Sequence, residues 1–306
     1  MKAIGINEYG SIENLLEFDI PLEPLGSTDV VVDIKAISIN PFDTKQRAGF
    51  YPKHPNKHRP LILGIDMAGI VTETGPDVTL FKVGDLVVGR PKASAQGTYR
   101  QQMVISQDLL VQIQDNVLIE SAAALLAAGS AAYHALFTYG NLLSNQRVLI
   151  HGGAGGVGHL AIQLAKLKGS TVITTASKKH HDYLKSLGAN QIIDYHSEDF
   201  SEIVKDIDLV IDTVGDKVQE KSLTILTPNG HIESLVGSID PQNDKIHFFS
   251  AKFSTDALKE MLDLMSKGKL DVNIRYIDTF TVENVKKAHL ELETKTGQGK
   301  IVLTLS

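Results

Sequence analysis

Cysteine is absent from all 306 residues. That absence excludes disulfides and every thiolate metal site, and it is compatible with a reducing compartment. A long apolar run is absent too. The most apolar-looking stretch, 122–137, is alanine-rich, is broken by Ser130 and His134, and is too short to span a bilayer. The first residues, MKAIGINEYG, lack the extended apolar region of a secretory signal, so a cytoplasmic protein with no membrane partner is expected. Positive charge is not in surplus. The formal net charge of -6 gives no general attraction for nucleic acid or an anionic membrane. No histidine shows HExxH or similar metal-ligand spacing: His180 and His181 are adjacent on a helix candidate, and His54 and His58 flank Pro55 in a loop candidate. What remains is ordinary globular composition, 42% hydrophobic and 22% charged, in a chain long enough for two domains.

Against that plain background one stretch stands out, Arg147 to Gly158, RVLIHGGAGGVG. Four residues of strand character run into five glycines, and an apolar-striped helix candidate with Leu160, Ile162, Leu164, Ala165 and Leu167 follows. Gly153, Gly155 and Gly158 fit G-x-G-x-x-G. Such a strand–turn–helix needs glycine for the sharp turn and for backbone contact with a pyrophosphate. The helix start then offers its unpaired N–H groups to the anion. Gly155, Gly156 and Val157 are the expected donors.

Residues 1–120 read as β-rich, with strand candidates at Val30–Ile37, Gly69–Thr74 and Asp85–Val88 separated by glycine turns. Between the first two, 40–60 carries four of the ten prolines, so a long irregular loop is expected there. From Glu120 the pattern changes to a helix, Ser121–Tyr139, and then to alternation. Strands are expected at Arg147–Ile150, Thr171–Thr175, Gln191–Asp194, Asp208–Asp212 and His231–Leu235, with helices between most of them. Repeated β-α-β units with short apolar strands mean a parallel sheet covered on both faces, binding its ligand at the strands' carboxyl ends. Two late amphipathic helices, Asp256–Lys267 and Val282–Glu293, precede a closing strand, Lys300–Leu305, expected to return to the first domain. The domains are therefore placed at 1–120 with 275–306, and at 121–274.

About twenty residues past the glycines an NAD site offers a carboxylate to the ribose hydroxyls. Here that position reads Thr175-Ala176-Ser177-Lys178-Lys179-His180-His181, with no carboxylate before Asp182. A hydroxyl and lysines suit a 2′-phosphate, and cations at a helix start oppose the helix dipole unless an anion joins them. NADPH is the expected cofactor.

The segments NPFDTKQRAGFYP (40–52), GIDMAGIVTETG (64–75), VGDLVVG (83–89), GTYRQQMVI (97–105), AAALLAAGSAAYHAL (122–136), the glycine stretch, DLVIDTVG (208–215) and the final GKIVLTL resemble the medium-chain dehydrogenases/reductases. Within them the chain is similar to the zinc-free quinone oxidoreductases and enone reductases. The resemblance implies a GroES-like β-barrel catalytic domain joined to a Rossmann doubly wound parallel-sheet domain, an α/β chain with its active site between the two. Zinc members of the family place a Cys, a His and a Cys at positions that match Asn40, Ile65 and Ala127, none of them a zinc ligand here, and the structural-zinc loop is missing. No zinc is expected.

Without a Lewis acid, direct alcohol oxidation is disfavoured. Reduction of a quinone or a conjugated double bond fits instead: hydride goes to the β-carbon and charge collects on the carbonyl oxygen, which the protein must orient and stabilise. The resemblance implies three catalytic residues: Asn40 beside ribose or substrate, Lys45 at the enolate oxygen and Tyr51 on the substrate. Asp43 is expected to shape the loop rather than to move protons. Ser177 with Lys178, Lys179 or His180 is expected at the 2′-phosphate, and Tyr195 near the adenosine. Val214-Gly215 and Val236-Gly237 are expected at the nicotinamide half. A homodimer is implied as well, with 247–249 as a pairing edge. A cofactor-binding regulatory protein with little catalysis is the alternative, against which the intact segment 40–52 speaks.

Overall fold

The computed structural model describes residues 1–51, 60–294 and 297–306, so His54 and His58 lie outside the described residues. The chain divides into two compact units. One holds Met1–Ala127, Ser254–Lys269 and Ile274–Ser306, and the other holds Ala128–Phe253 with Leu270–Asn273.

The first unit contains β1 (Lys2–Ile6), β2 (Leu16–Asp19), β3 (Asp29–Ile39), β4 (Leu61–Ile62), β5 (Asp66–Thr74), β6 (Leu86–Gly89), β7 (Gln102–Ser106) and β8 (Leu110–Gln112). Late in the chain it adds β15 (Ile274–Thr279) and β16 (Lys300–Thr304). Strand β3 organises them. Its Val- and Ile-rich sequence is buried along most of its length, as a strand covered on both faces must be. β5 pairs along one edge of it, while β7 takes Asp29–Asp33 and β16 takes Ala36–Ile39 on the other. The closing strand thus pairs antiparallel with β3, Ile301 opposite Ile39. Ile4, Ile34, Ile37, Met67, Met103 and Ile301 belong to the core around it. Each such side chain, fully buried, contributes on the order of 1.5–3 kcal/mol.

Part of the irregular loop expected at 40–60 is a helix instead, α1 (Pro41–Ala48). Proline does not break it because Pro41 occupies the first helical position, where no N–H is required. Asp43 Oδ2 accepts the Asn40 N–H at 2.8 Å, and Gly49, at φ 85°, closes the helix in the left-handed region. Asp43 therefore shapes this turn through a backbone hydrogen bond.

Helix α2 (Ile119–Tyr133) continues as a π-turn over His134–Tyr139, where the His134 ring bonds Ser130 O at 2.7 Å. The second unit then runs β9 (Arg147–His151), α3 (Gly158–Leu167), β10 (Thr171–Thr175), α4 (His181–Ser186) and β11 (Gln191–Ile193). It goes on through α5 (Phe200–Ile203), β12 (Ile207–Asp212), α6 (Lys217–Leu223), β13 (Leu226–Ser234) and β14 (Ile246–Phe248). The six strands are all parallel and stand in the order β11-β10-β9-β12-β13-β14. This is the doubly wound order, and it reverses direction between β9 and β12, where such sheets bind dinucleotides.

Helix α3 is buried from Gly158 to Ala165, more completely than one inward stripe requires, while Leu167, expected in that stripe, is exposed beyond it. Its polar residues are used. Gln163 exchanges two hydrogen bonds with the Asp271 backbone at 2.9 Å, and His159 Nε2 accepts the Asn273 N–H at 3.1 Å. These bonds attach Leu270–Asn273 to the second unit. Helix α7 (Thr255–Ser266), placed in the Rossmann segment by the sequence, packs on β8 within the first unit, and α8 (Val282–Glu293) packs there on α1.

A β-carbon on Gly158 would lie 2.3 Å from Gly152 O, whereas one on Gly155 would meet that oxygen at 3.2 Å and nothing nearer. Gly158→Ala is expected to destabilise by on the order of 1–3 kcal/mol or more. Gly155→Ala is expected to change stability much less. Thermal midpoints of the two variants check this, and equal losses would refute the packing argument.

Candidate active site

In the second unit the ends of the parallel strands carry the sequence-expected cofactor residues. Gly152 turns at φ 71°, Gly153 N–H donates to Thr175 O at 3.1 Å, and Gly155 N–H donates to Gly152 O at 3.0 Å. The Gly155 amide is therefore engaged in closing the turn rather than presented outward. Gly156 and Val157 remain, half-buried, directly before the first helical residue Gly158. His159 fixes the turn from below. Its Nε2 accepts Asn273 N–H, which leaves Nδ1 protonated to donate to Gly155 O at 2.8 Å. The room left open above Gly155 and the positive end of α3 fit a pyrophosphate.

At the end of β10, Ser177 Oγ donates to Tyr195 OH at 2.9 Å and meets His196 Nε2 at 3.1 Å. The Tyr195 and His196 rings lie 4.3 Å apart. Lys178 and Lys179 follow, both exposed, in a short 3-10 turn that ends at His180. The structure thus brings Ser177 and Tyr195 together and adds His196, which the sequence reading missed. Asp194 does not oppose this basic character outward. Its oxygens accept His196 N–H and Ser197 Oγ–H, each at 3.2 Å, and the His196 bond holds its carboxyl below the usual range. The donor set fits a 2′-phosphate.

Val214, Gly215, Val236 and Gly237 sit beyond the ends of β12 and β13, where Val214 and Val236 are exposed. Their backbone is held by a buried polar cluster that the sequence did not reveal. Asp212 Oδ1 accepts the N–H groups of Val214 and Gly215 at 2.8 and 2.9 Å, while Oδ2 accepts from Gln219 and Ser234. Gln219 also donates to Gly237 O at 2.8 Å. Gly215 and Gly237 both have positive φ, and a β-carbon on Gly237 would meet nothing within 4 Å. Beside this cluster His151 is buried between Thr175 Oγ1 and Ser222 Oγ, and burial pushes its pKa down to about 4.

In the first unit Asn40 is buried, and its side chain is occupied by protein. The amide N–H groups go to Asp66 Oδ2 at 2.8 Å and Ser38 O at 3.2 Å, and the carbonyl accepts from Lys300 Nζ. Lys300 and Asp66 were not singled out from the sequence, because they lie far from Asn40 along the chain. Asp43 accepts from Tyr99 OH at 3.1 Å, and Tyr99 OH reaches His289 Nε2 at 3.2 Å. Burial, then the nearby Asp66, raises the Asp43 pKa to about 7. Burial also raises Asp66 and lowers Lys300, so two carboxylates share one buried ammonium. Lys45 is exposed on α1, one turn after Phe42, and Tyr51 stacks on the Phe42 ring at 4.8 Å. Tyr51 is thus seated against Phe42, with Lys45 one turn further along α1, whereas Asn40 faces the interior.

Known proteins match this chain along its whole length. Residues 26–115 match the alcohol dehydrogenase GroES-like domain family, and residues 187–303 match the zinc-binding dehydrogenase family. The 2-methylene-furan-3-one reductase of Solanum lycopersicum is 32% identical over 312 residues, covering 99% of this chain and 79% of that protein. A quinone oxidoreductase structure from Coxiella burnetii is 36% identical with a TM-score of 0.92, covering 100% of this chain and 99% of its own. The Escherichia coli quinone oxidoreductase, solved in complex with NADPH, is 27% identical with a TM-score of 0.86 and full coverage of both chains.

The buried imidazole gives a pH test. His151 titrates at about 4 in the folded chain, against an ordinary value of 6.5, so the unfolded chain binds the extra proton between those pH values. Its contribution to stability is present above pH 6.5 and is lost as pH falls toward 4. Asp43, raised from 3.8 to about 7, acts oppositely across all of that range, in wild type and variant alike. The gap in thermal midpoint between wild type and His151→Gln is expected to shrink on acidification from pH 6.5 to 4. A constant gap would show that His151 is not held neutral.

Proposed function

The chain belongs to the medium-chain dehydrogenase/reductase superfamily, and on that premise we propose an NADPH-dependent, zinc-independent oxidoreductase that reduces a quinone or the β-carbon of an α,β-unsaturated carbonyl. One observation carries the cofactor choice: the strand end that selects the adenosine ribose has Ser177, Tyr195 and His196 in mutual contact, flanked by Lys178 and Lys179. The NADPH held by the E. coli relative supports it.

Bound NADPH supplies the hydride. The chain's own residues hold and orient: Gly156 and Val157 N–H take the pyrophosphate, Ser177 with Lys178, Lys179 or His180 takes the 2′-phosphate, and Tyr195 borders the adenosine. Val214, Gly215, Val236 and Gly237 border the nicotinamide half, with Asp212 and Gln219 fixing their backbone. Lys45 places positive charge where the acceptor's carbonyl oxygen becomes negative, and Tyr51 positions the acceptor. Asn40 acts as a positioning residue, because its amide already serves Asp66, Ser38 and Lys300. At Asn40, Ile65 and Ala127 the chain offers no zinc donor set.

Among the described residues no helix is long and apolar enough to cross a membrane. The proposal includes a cytoplasmic homodimer paired through the edge strand β14, where Phe248 is exposed.

A panel of quinones and enones with NADPH and NADH tests the activity. Turnover with NADPH is expected in chelator-treated protein, and Lys45→Ala should lower it without weakening NADPH. Tight NADPH binding with no turnover of any acceptor would favour a cofactor-binding regulator instead. The Ser177→Ala/Lys178→Ala/Lys179→Ala variant should lose NADPH affinity, at on the order of 1.5–3 kcal/mol per charge-assisted bond, and keep its NADH affinity. An unchanged NADPH-to-NADH preference would overturn the cofactor assignment.

A further inference from the structure

We propose that His231, Glu233 and His247 form a site for a divalent transition metal of the zinc type on the outer strands of the parallel sheet. His231 and Glu233 are two apart on β13 and therefore point to the same face. His247 on β14 is the register partner of Glu233, which puts the third side chain on that face too. Among the described residues, these three offer one ligand atom each, all within 4.8 Å of one another.

His247 Nδ1 lies 2.8 Å from Glu233 Oε1, and His231 Nε2 lies 3.6 Å from the same oxygen. A tetrahedral metal with bonds of about 2.0–2.1 Å separates its ligand atoms by roughly 3.4 Å, which falls between these distances. Two further observations point to a ligand. The Glu233 side chain is 1% exposed, and its second oxygen, Oε2, has no hydrogen-bond partner among the described residues. An orphaned buried carboxylate oxygen is costly in a finished core, and a cation removes that cost. One imidazole is also oriented from behind by backbone: His247 Nε2 bonds Asp244 O at 3.0 Å. Metal-ligating histidines are held this way, with the far nitrogen on a carbonyl and the near one turned to the ion.

Two imidazoles and a carboxylate suit zinc, and the half-exposed His247 leaves a position open to water. The metal would tie β14 to β13. It lies on a different unit from Asn40, Ile65 and Ala127, so it adds structure rather than catalysis and does not rest on the proposed reaction.

The test is zinc chloride alone against full-length chelator-stripped protein, read by competition with a chromophoric chelator. One zinc per chain is expected, together with a thermal midpoint that rises with zinc concentration and reverses on chelation. Cobalt in its place should give the visible absorption of a four-coordinate site. His231→Asn/His247→Asn should weaken binding by more than the roughly 10–100-fold that changes behind a ligand cause. Absence of stoichiometric zinc in the wild-type protein would overturn the proposal and leave a plain hydrogen-bonded pair. So would wild-type affinity in the double variant. The wild-type stoichiometry and midpoint shift decide the matter even if that variant does not fold.

Discussion

A single buried ammonium, that of Lys300, holds the polar interior of the first unit in order. It bonds Asn40 Oδ1 and Ile39 O, and its charge acts on both Asp43 and Asp66. Clusters of this kind contribute little net stability compared with an apolar core, but removing one partner costs on the order of 3–5 kcal/mol. Their use is specification. Lys300 and Asp66 fix the Asn40 side chain and with it the backbone that opens α1, and α1 in turn carries Lys45 and Phe42, on which Tyr51 stacks. The face proposed to meet the acceptor is thus placed by a charge whose own residue is buried.

The second unit is governed by a steric constraint of the opposite kind. The turn from β9 into α3 is packed so closely, position 153 against Thr174 of β10 and position 158 against the Gly152–Gly153 backbone, that neither admits a side chain. That closeness sets the start of α3 at the reversal point of the strand order, where amides and dipole act together on an anion. The Asp212–Gln219–Ser234 cluster does for the strand ends proposed to border the nicotinamide what the glycines do for the turn proposed to hold the phosphates. It converts strand ends into fixed, partly open backbone.

Local features were legible in the sequence. Thr171–Thr175 and Val282–Glu293 were bounded correctly, because periodicity and caps lie within the segment that they define. The glycine turn and the basic strand end at Ser177 were legible for the same reason. What escaped was assembled by pairing across the chain. Lys300 looked like one more residue of a closing strand, His196 meets Ser177 only because β10 and β11 are neighbours, and Glu233 meets His247 only through the register of β13 with β14. Helix α1 is hidden for another reason: four prolines in the segment argue against regular structure, yet Pro41 stands at the first helical position, where proline does no harm.

The reach of these pairings has a kinetic meaning. Lys300 stands 260 residues from the Asn40 that it holds, and Asp271 stands 108 residues from Gln163 on α3. During synthesis, β3 must wait with one edge partly unpaired until β16 emerges, and α3 waits in the same way for Leu270–Asn273. Contacts this distant in sequence close large loops before they return any energy, which slows folding and prolongs exposure of unpaired strand. The chain therefore completes both halves nearly together, late, and in close succession, although each has its own core.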